Sequence, residues 1–144
     1  MSVTHATFSL ERSYPAAPSR VFAAWSDPAA KARWFGSGEI HELDFRVGGT
    51  ELTTGHTPDG KALAATSVYH DIVPLERIVY STTLTGGDQL ATVSVTTIEL
   101  HAEDDGTRLV LTEQGTFLDG AEEPAWRERG TSDWLAKLSK ELAS

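Results

Sequence analysis

The sequence predicts an α+β fold, and three features carry that reading. One apolar–polar alternation opens the chain, with Phe8 and Leu10 against Thr7, Ser9 and Glu11. A long middle region is rich in Val, Ile and Thr and is cut by turn residues such as Pro58-Asp59-Gly60 and Gly86-Gly87-Asp88. The C-terminal stretch, roughly Glu122 to Ala143, has helical spacing: Trp126, Gly130, Trp134, Leu138 and Leu142 fall four residues apart. Short connections between the middle segments favour neighbouring hairpins, so the sheet is expected to be an antiparallel meander of about six to seven strands curled around that last helix.

Each element has its own signals. Thr7 to Tyr14 reads as the first strand, ended by Pro15 and Pro18. Pro18 suits the first turn of a short helix that carries Val21, Phe22 and Trp25 inward. Asp27-Pro28 repeats the signal, with Asp27 as N-cap of a second short helix running to Trp34-Phe35, where Gly36 and Gly38 stop it. Strands are expected from Glu39 to Val47, Thr50 to Thr57, Lys61 to Val73, Arg77 to Thr85, Leu90 to Leu100 and Thr107 to Gln114. In the last helix, Leu135 and Thr131 widen the apolar stripe, while Arg127, Glu128, Asp133, Lys137, Lys140 and Glu141 fall on the other side. Gly130 sits inside the stripe at a cost of roughly 1 kcal/mol relative to alanine. Three readings stay open for it: close packing of helix on sheet, a helix break, or space left with Thr131 for a ligand.

Composition removes several function classes. The 144 residues suit one domain with a sizeable core, and 40% hydrophobic with 23% charged residues is an ordinary globular balance. The net charge of −9, with no basic cluster, argues against nucleic acid and against anionic membrane surfaces. There is no cysteine, so disulfide and thiolate chemistry are absent and a cytoplasmic setting is expected. No signal-peptide pattern and no apolar run approaching the ~18 residues of a membrane span are visible, so no membrane insertion is expected.

The order of several short motifs adds a further reading. Pro18 to Phe22, Ala24-Trp25-Ser26-Asp27-Pro28, Trp34-Phe35, Asp44-Phe45-Arg46-Val47-Gly48-Gly49, Asp59-Gly60, Ile72-Val73-Pro74, Val79-Tyr80, Gly106-Thr107-Arg108-Leu109 and Gly130 to Leu138 together resemble the SRPBCC superfamily. More narrowly, they resemble its activator of Hsp90 ATPase homologue-like family, with Asp44 to Gly49 similar to that family's Asp-x-Arg-x-Gly-Gly signature. The resemblance covers about residues 7–143 and implies a helix-grip fold of the START and birch-pollen-allergen type, with a cavity between curved sheet and long helix. Many members carry Trp just after the helix glycine; this chain has Thr131 there, and Trp134 is expected to supply the bulk. The family includes a domain of a eukaryotic co-chaperone. The additional N-terminal domain of that protein is missing here, which weighs against a chaperone partner.

Chemical signals are sparse. His41, His56 and His70 lie on different expected strands, with His5 and His101 near strand ends, and none has metal-site spacing. No nucleophile elbow or phosphate loop appears, and neither metal nor cofactor is expected. Asp44 and Arg46, two apart, are expected to pair near the Gly48-Gly49 turn. The cavity candidates are Trp34, Phe35, His41, Phe45, His70, Tyr80, Phe117, Gly130, Thr131 and Trp134. Trp34, Phe35 and Phe117 qualify because they sit at element ends; His41 and His70 would join Tyr69, Tyr80 or Glu42 as acid and base if they project inward. Three functions compete: a binding protein for a small apolar or aromatic molecule, a cyclase- or hydrolase-like enzyme in the same cavity, and a protein-interaction module of the co-chaperone kind.

Overall fold

The computed structural model describes residues 2–36 and 39–143. Strand β1 (Val3–Tyr14) is followed by helices α1 (Pro18–Ser26) and α2 (Pro28–Trp34). Then come β2 (His41–Leu43), β3 (Thr50–His56), β4 (Ala62–Val73), β5 (Arg77–Gly86), β6 (Gln89–Glu103) and β7 (Gly106–Leu118), and the chain ends in α3 (Pro124–Ala143). The strands form one curved, open antiparallel sheet in the order β1-β7-β6-β5-β4-β3-β2. The architecture is the helix-grip fold expected from the sequence, with a meander from β2 to β7 and β1 added at the far edge.

Local chemistry explains where the elements stop. Proline opens both short helices, where its missing N–H costs nothing. Asp27 occupies the N-cap of α2 as expected, but its side chain makes no capping hydrogen bond. Gly36 follows α2 at φ +93°, a conformation favouring glycine; Gly38, the other expected stop, lies outside the described residues. The strand expected from Glu39 to Val47 is paired only over His41–Leu43. Beyond it the backbone turns, with the Gly49 N–H donating to the Arg46 carbonyl at 2.8 Å. A Cβ on Gly49 would sit 2.1 Å from the Asp44 carbonyl oxygen, so only glycine fits this turn. Arg46 pairs with Asp44 across it at 2.9 Å, exposed to water.

α1 contributes Val21, Ala24 and Trp25 to the core, and α3 contributes Leu135 and Leu138, all buried against Ile78, Ile98, Leu109 and Leu111 of the sheet. The Tyr14 hydroxyl donates to the Leu135 carbonyl at 3.1 Å and ties α3 to β1. Trp134 and Leu142 pack at the margin of this cluster.

One charged group lies at the centre of this packing. Lys31 of α2 is fully buried, and its ammonium donates to Glu51 Oε1 at 2.8 Å and to the Tyr69 hydroxyl at 3.2 Å. The Tyr69 hydroxyl donates to the same carboxylate at 2.7 Å, and His41 Nε2 lies 2.6 Å from its other oxygen. The rings of Phe35, Trp25, Tyr80 and Tyr69 surround the ammonium with centroids 4.3 to 6.0 Å away. Burial pulls the Lys31 ammonium below its ordinary value, against the pull of Glu51. Burial alone would raise Glu51, but Lys31, His41 and Tyr69 overcome it and bring the carboxyl down to about 2.

Two outcomes follow from this network. Lys31→Met leaves Glu51 buried without its counter-ion and should cost about 3–5 kcal/mol in urea unfolding. A depressed carboxyl contributes stability above its unfolded value near 4.5, and that contribution is lost as the pH falls toward about 2. The Glu51 share of this loss is about 3 kcal/mol, so the wild-type protein should lose more stability across that window than Glu51→Gln by about that amount.

Candidate functional site: the cavity between sheet and helix

The inner face of the sheet is divided across its strands. In one half the inward residues are large: Ile78, Ile98, Leu100, Leu109 and Leu111. In the other half they are small, with Ser67 of β4, Thr82 of β5 and Ser94 of β6 aligned across three strands. The aligned row Tyr69, Tyr80, Thr96 and Glu113 separates the two. Over the small-residue half, α3 presents Gly130 and Thr131. Facing short side chains do not meet, and a cavity of about 450 Å³ remains, partly open to solvent and mainly apolar in its walls. Phe35, Leu63, Ala65, Leu84, Trp126 and Trp134 supply much of that apolar surface. The volume falls within the usual range for small-molecule sites, roughly 300–1,000 Å³.

Gly130 lies within α3, and a Cβ built there would meet no atom within 4 Å. The position opens onto the cavity, so neither tight packing nor a helix break explains this glycine.

A polar cluster occupies one wall. Arg127 of α3 grips Glu122 with two N–H groups, at 2.9 and 2.7 Å, and donates to Glu113 Oε2 at 2.6 Å. Thr92 donates to Glu122 at 2.6 Å. Thr96 reaches Glu113 Oε1 only at 3.4 Å. Burial pushes Glu113 above the usual carboxylate value; Arg127 opposes the shift without cancelling it, and the neighbouring charge of Glu122 adds to it. Burial would loosen the Arg127 proton, but Glu122 and Glu113 more than offset this and hold it as a cation. Burial also drives the Tyr80 phenol far above its ordinary value, so it stays a protonated donor. Two carboxyls share one guanidinium, and the cavity therefore presents a neutral donor, Tyr80, beside a carboxyl with unspent acceptor capacity, Glu113.

The ten candidates separate by position. Phe35, Tyr80, Gly130, Thr131 and Trp134 line the cavity. Trp34 does not; it is buried in the core, with its indole N–H donated to the Ala24 carbonyl at 2.9 Å. Phe45 packs edge-on against Phe22 and Tyr69 instead. Phe117 is buried beneath the Arg127 guanidinium, 5.9 Å from its ring centroid. His41 is drawn off to Glu51, and His70 is exposed and pairs with Ser81 at 2.7 Å. The histidines are therefore not brought together with Tyr80. Among the described residues, no group of three or more His, Asp or Glu side chains is placed to hold a metal ion.

Sequence reasoning missed Glu113, Glu122 and Arg127. A signal existed for Glu113: it continues the inward stripe of Thr107, Leu109 and Leu111, where an acid is out of pattern. The assignment of Arg127 to the outer side of α3 is corrected here. Arg127, Gly130, Thr131 and Trp134 share a helix face at spacings of three and four, while Trp126 is 53% exposed at the cavity margin.

Arg127→Leu would leave two carboxyls facing each other across an apolar wall. It should destabilise by about 3 kcal/mol in urea unfolding. Glu113→Gln, which keeps the hydrogen bond to Arg127, should cost less than half as much. Equal losses would contradict the arrangement of charge described above.

The sequence of residues 15–143 matches the family described as activator of Hsp90 ATPase homolog 1-like protein. No curated protein matches the chain. Among solved structures, a protein from Rhizobium leguminosarum is 41% identical, with a TM-score of 0.94 over 99% of this chain and 97% of its own. Protein Mll3558 from Rhizobium loti is 43% identical, with a TM-score of 0.91 over 98% of this chain and 99% of its own. Protein CV1439 from Chromobacterium violaceum is 30% identical, with a TM-score of 0.80 over 96% of this chain and 97% of its own. Sequence and architecture agree, and the chain belongs to the activator of Hsp90 ATPase homolog 1-like family, within the SRPBCC superfamily.

Proposed function

We propose that this protein binds a small, largely apolar or aromatic molecule between the sheet and α3. The observation that carries the reading is the cavity itself: about 450 Å³, mainly apolar walls, and a few polar groups converging from β5, β6, β7 and α3. An apolar body entering it would remove water from Phe35, Leu84 and Trp134, at about 25 cal/mol for each Å² of apolar surface buried. Phe35 and Trp134 form a tilted aromatic pair with centroids 4.4 Å apart, a ready stacking surface for a planar ligand. The family commonly binds small ligands, which supports the same reading. Among the described residues, no helix is long and apolar enough to cross a membrane.

Gly130 provides the test. Titration with the neutral dye Nile red should shift tryptophan emission, since Trp126 and Trp134 both border the cavity. Gly130→Leu places a side chain into ligand volume and should weaken dye binding by at least about tenfold, or 1.4 kcal/mol, while the melting temperature is kept or raised. Gly130→Ala should stabilise by roughly 0.5–1 kcal/mol through helix propensity alone. A Gly130→Leu protein that binds the dye with unchanged affinity would remove the cavity from consideration.

A further inference from the structure

Behind the main cavity lies a second, much smaller chamber. Its volume is about 20 Å³, and it is bordered by Trp25, Trp34, Leu111 and Leu135 together with Phe35, Tyr80, Glu113, Thr131 and Trp134, the last five also lining the main cavity. That volume accommodates one oxygen atom with its hydrogen and little more. The lining holds an unusual group. Trp25 is 3% exposed, and its indole N–H is the only buried side-chain polar atom among the described residues without a hydrogen-bond partner. A buried donor without a partner in the protein is costly to leave unmatched, and a water or a ligand group beside it supplies the acceptor. On the same lining stands Glu113, whose Oε1 has only the 3.4 Å contact from Thr96. Two residues that border the chamber thus carry a donor lacking a protein acceptor and an acceptor lacking a close protein donor.

We propose that the molecule bound in the main cavity carries a hydroxyl group, phenolic or alcoholic, which enters this chamber, accepts from the Trp25 indole N–H and donates to Glu113. This rests on the cavity being a binding site, and it names the polar end of the ligand. A hydroxyl combines both roles on one heavy atom. An ammonium only donates, leaving Trp25 unmatched. An ether or ketone only accepts, leaving Glu113 unmatched. A carboxylate accepts from Trp25 but brings negative charge against a wall where Glu113 and Glu122 already share one guanidinium. The recognition element therefore selects a neutral hydroxyl on an apolar body and rejects its acidic counterpart.

A matched series tests this on the wild-type protein: naphthalene, 2-naphthol and 2-naphthoate, titrated by tryptophan fluorescence at neutral pH. 2-Naphthol should bind about tenfold or more tighter than naphthalene, the size expected for a hydrogen bond to a charged acceptor, with 2-naphthoate weaker than 2-naphthol. The indole N–H resonance of Trp25, assigned by its loss in Trp25→Phe, should move on adding 2-naphthol and stay still with naphthalene. Glu113→Gln, checked for an unchanged circular dichroism spectrum, should reduce the preference for 2-naphthol to a few-fold. If the three compounds bind within twofold of one another, or the Trp25 resonance ignores 2-naphthol, the hydroxyl chamber is refuted and the cavity stands. If neither they nor Nile red bind, both readings fail.

Discussion

The buried ion pair between Lys31 and Glu51 is the constraint on which the rest of the structure depends. Desolvating an ammonium ion costs several kcal/mol, and the cost is offset only when the partner groups are held in one geometry. That geometry fixes α2 against β3 and β4, since Glu51 and Tyr69 sit on those strands. It also fixes the rings that enclose the charge. Phe35 and Tyr80 face Lys31 on one side and border the cavity on the other. A buried pair of this kind is weak evidence for stability, because well-packed apolar residues often do as well. Its contribution here is positional: a displaced Lys31 would release both aromatic walls.

The cavity persists for a related reason. Hollow space in a protein is normally eliminated by collapse, because lining atoms lose contacts across a gap. Here collapse would press Glu113, Glu122 and Arg127 into apolar neighbours and strip their remaining hydrogen-bond capacity. The Arg127 guanidinium, carried by α3, is anchored to β7 through Glu113 and to the segment preceding α3 through Glu122, so it acts as a strut between sheet and helix. Of the Ser67, Thr82 and Ser94 row, Ser94 also accepts from Arg127, at 3.4 Å. Charge holds the layers together at one end, and the Leu135 and Leu138 contacts hold them at the other.

The architecture was legible because it is written in local periodicity. The strand alternations, the prolines at Pro18 and Pro28 and the glycine turns each specify one element without reference to distant residues. The site was only partly legible. Gly130 and Thr131 announced themselves as small residues in an apolar stripe, and Tyr80 as an inward aromatic. The ionic groups did not, because their meaning lies in partners set far along the chain: Lys31 with Glu51, and Glu113 with Arg127. Lys31 looks like an ordinary exposed lysine of a short helix until β3 brings a carboxylate above it. Arg127 lies beside Trp126 at the edge of the stripe, where one step of helix rotation decides which of the two turns inward. The histidines were overvalued for the opposite reason: residue type suggested chemistry, but strand register sent His70 outward and proximity to Glu51 captured His41.

The pairing of β1 with β7 has a consequence for how the protein assembles. Every other strand pairs with its sequence neighbours, and their short turns let each hairpin close over a small loop. β1 instead aligns Val3 with Leu118 and Tyr14 with Thr107, so its loop spans most of the chain. Closing so long a loop costs entropy before any contact rewards it, and such non-local pairing slows folding. During synthesis β1 emerges well before β7 exists, and its hydrogen-bonding edges stay available to any other strand in the meantime. Docking of Leu135 beside Tyr14 must wait for the same event, since Tyr14 lies on β1. The grip of helix on sheet is therefore completed late, after the two ends of the chain have met.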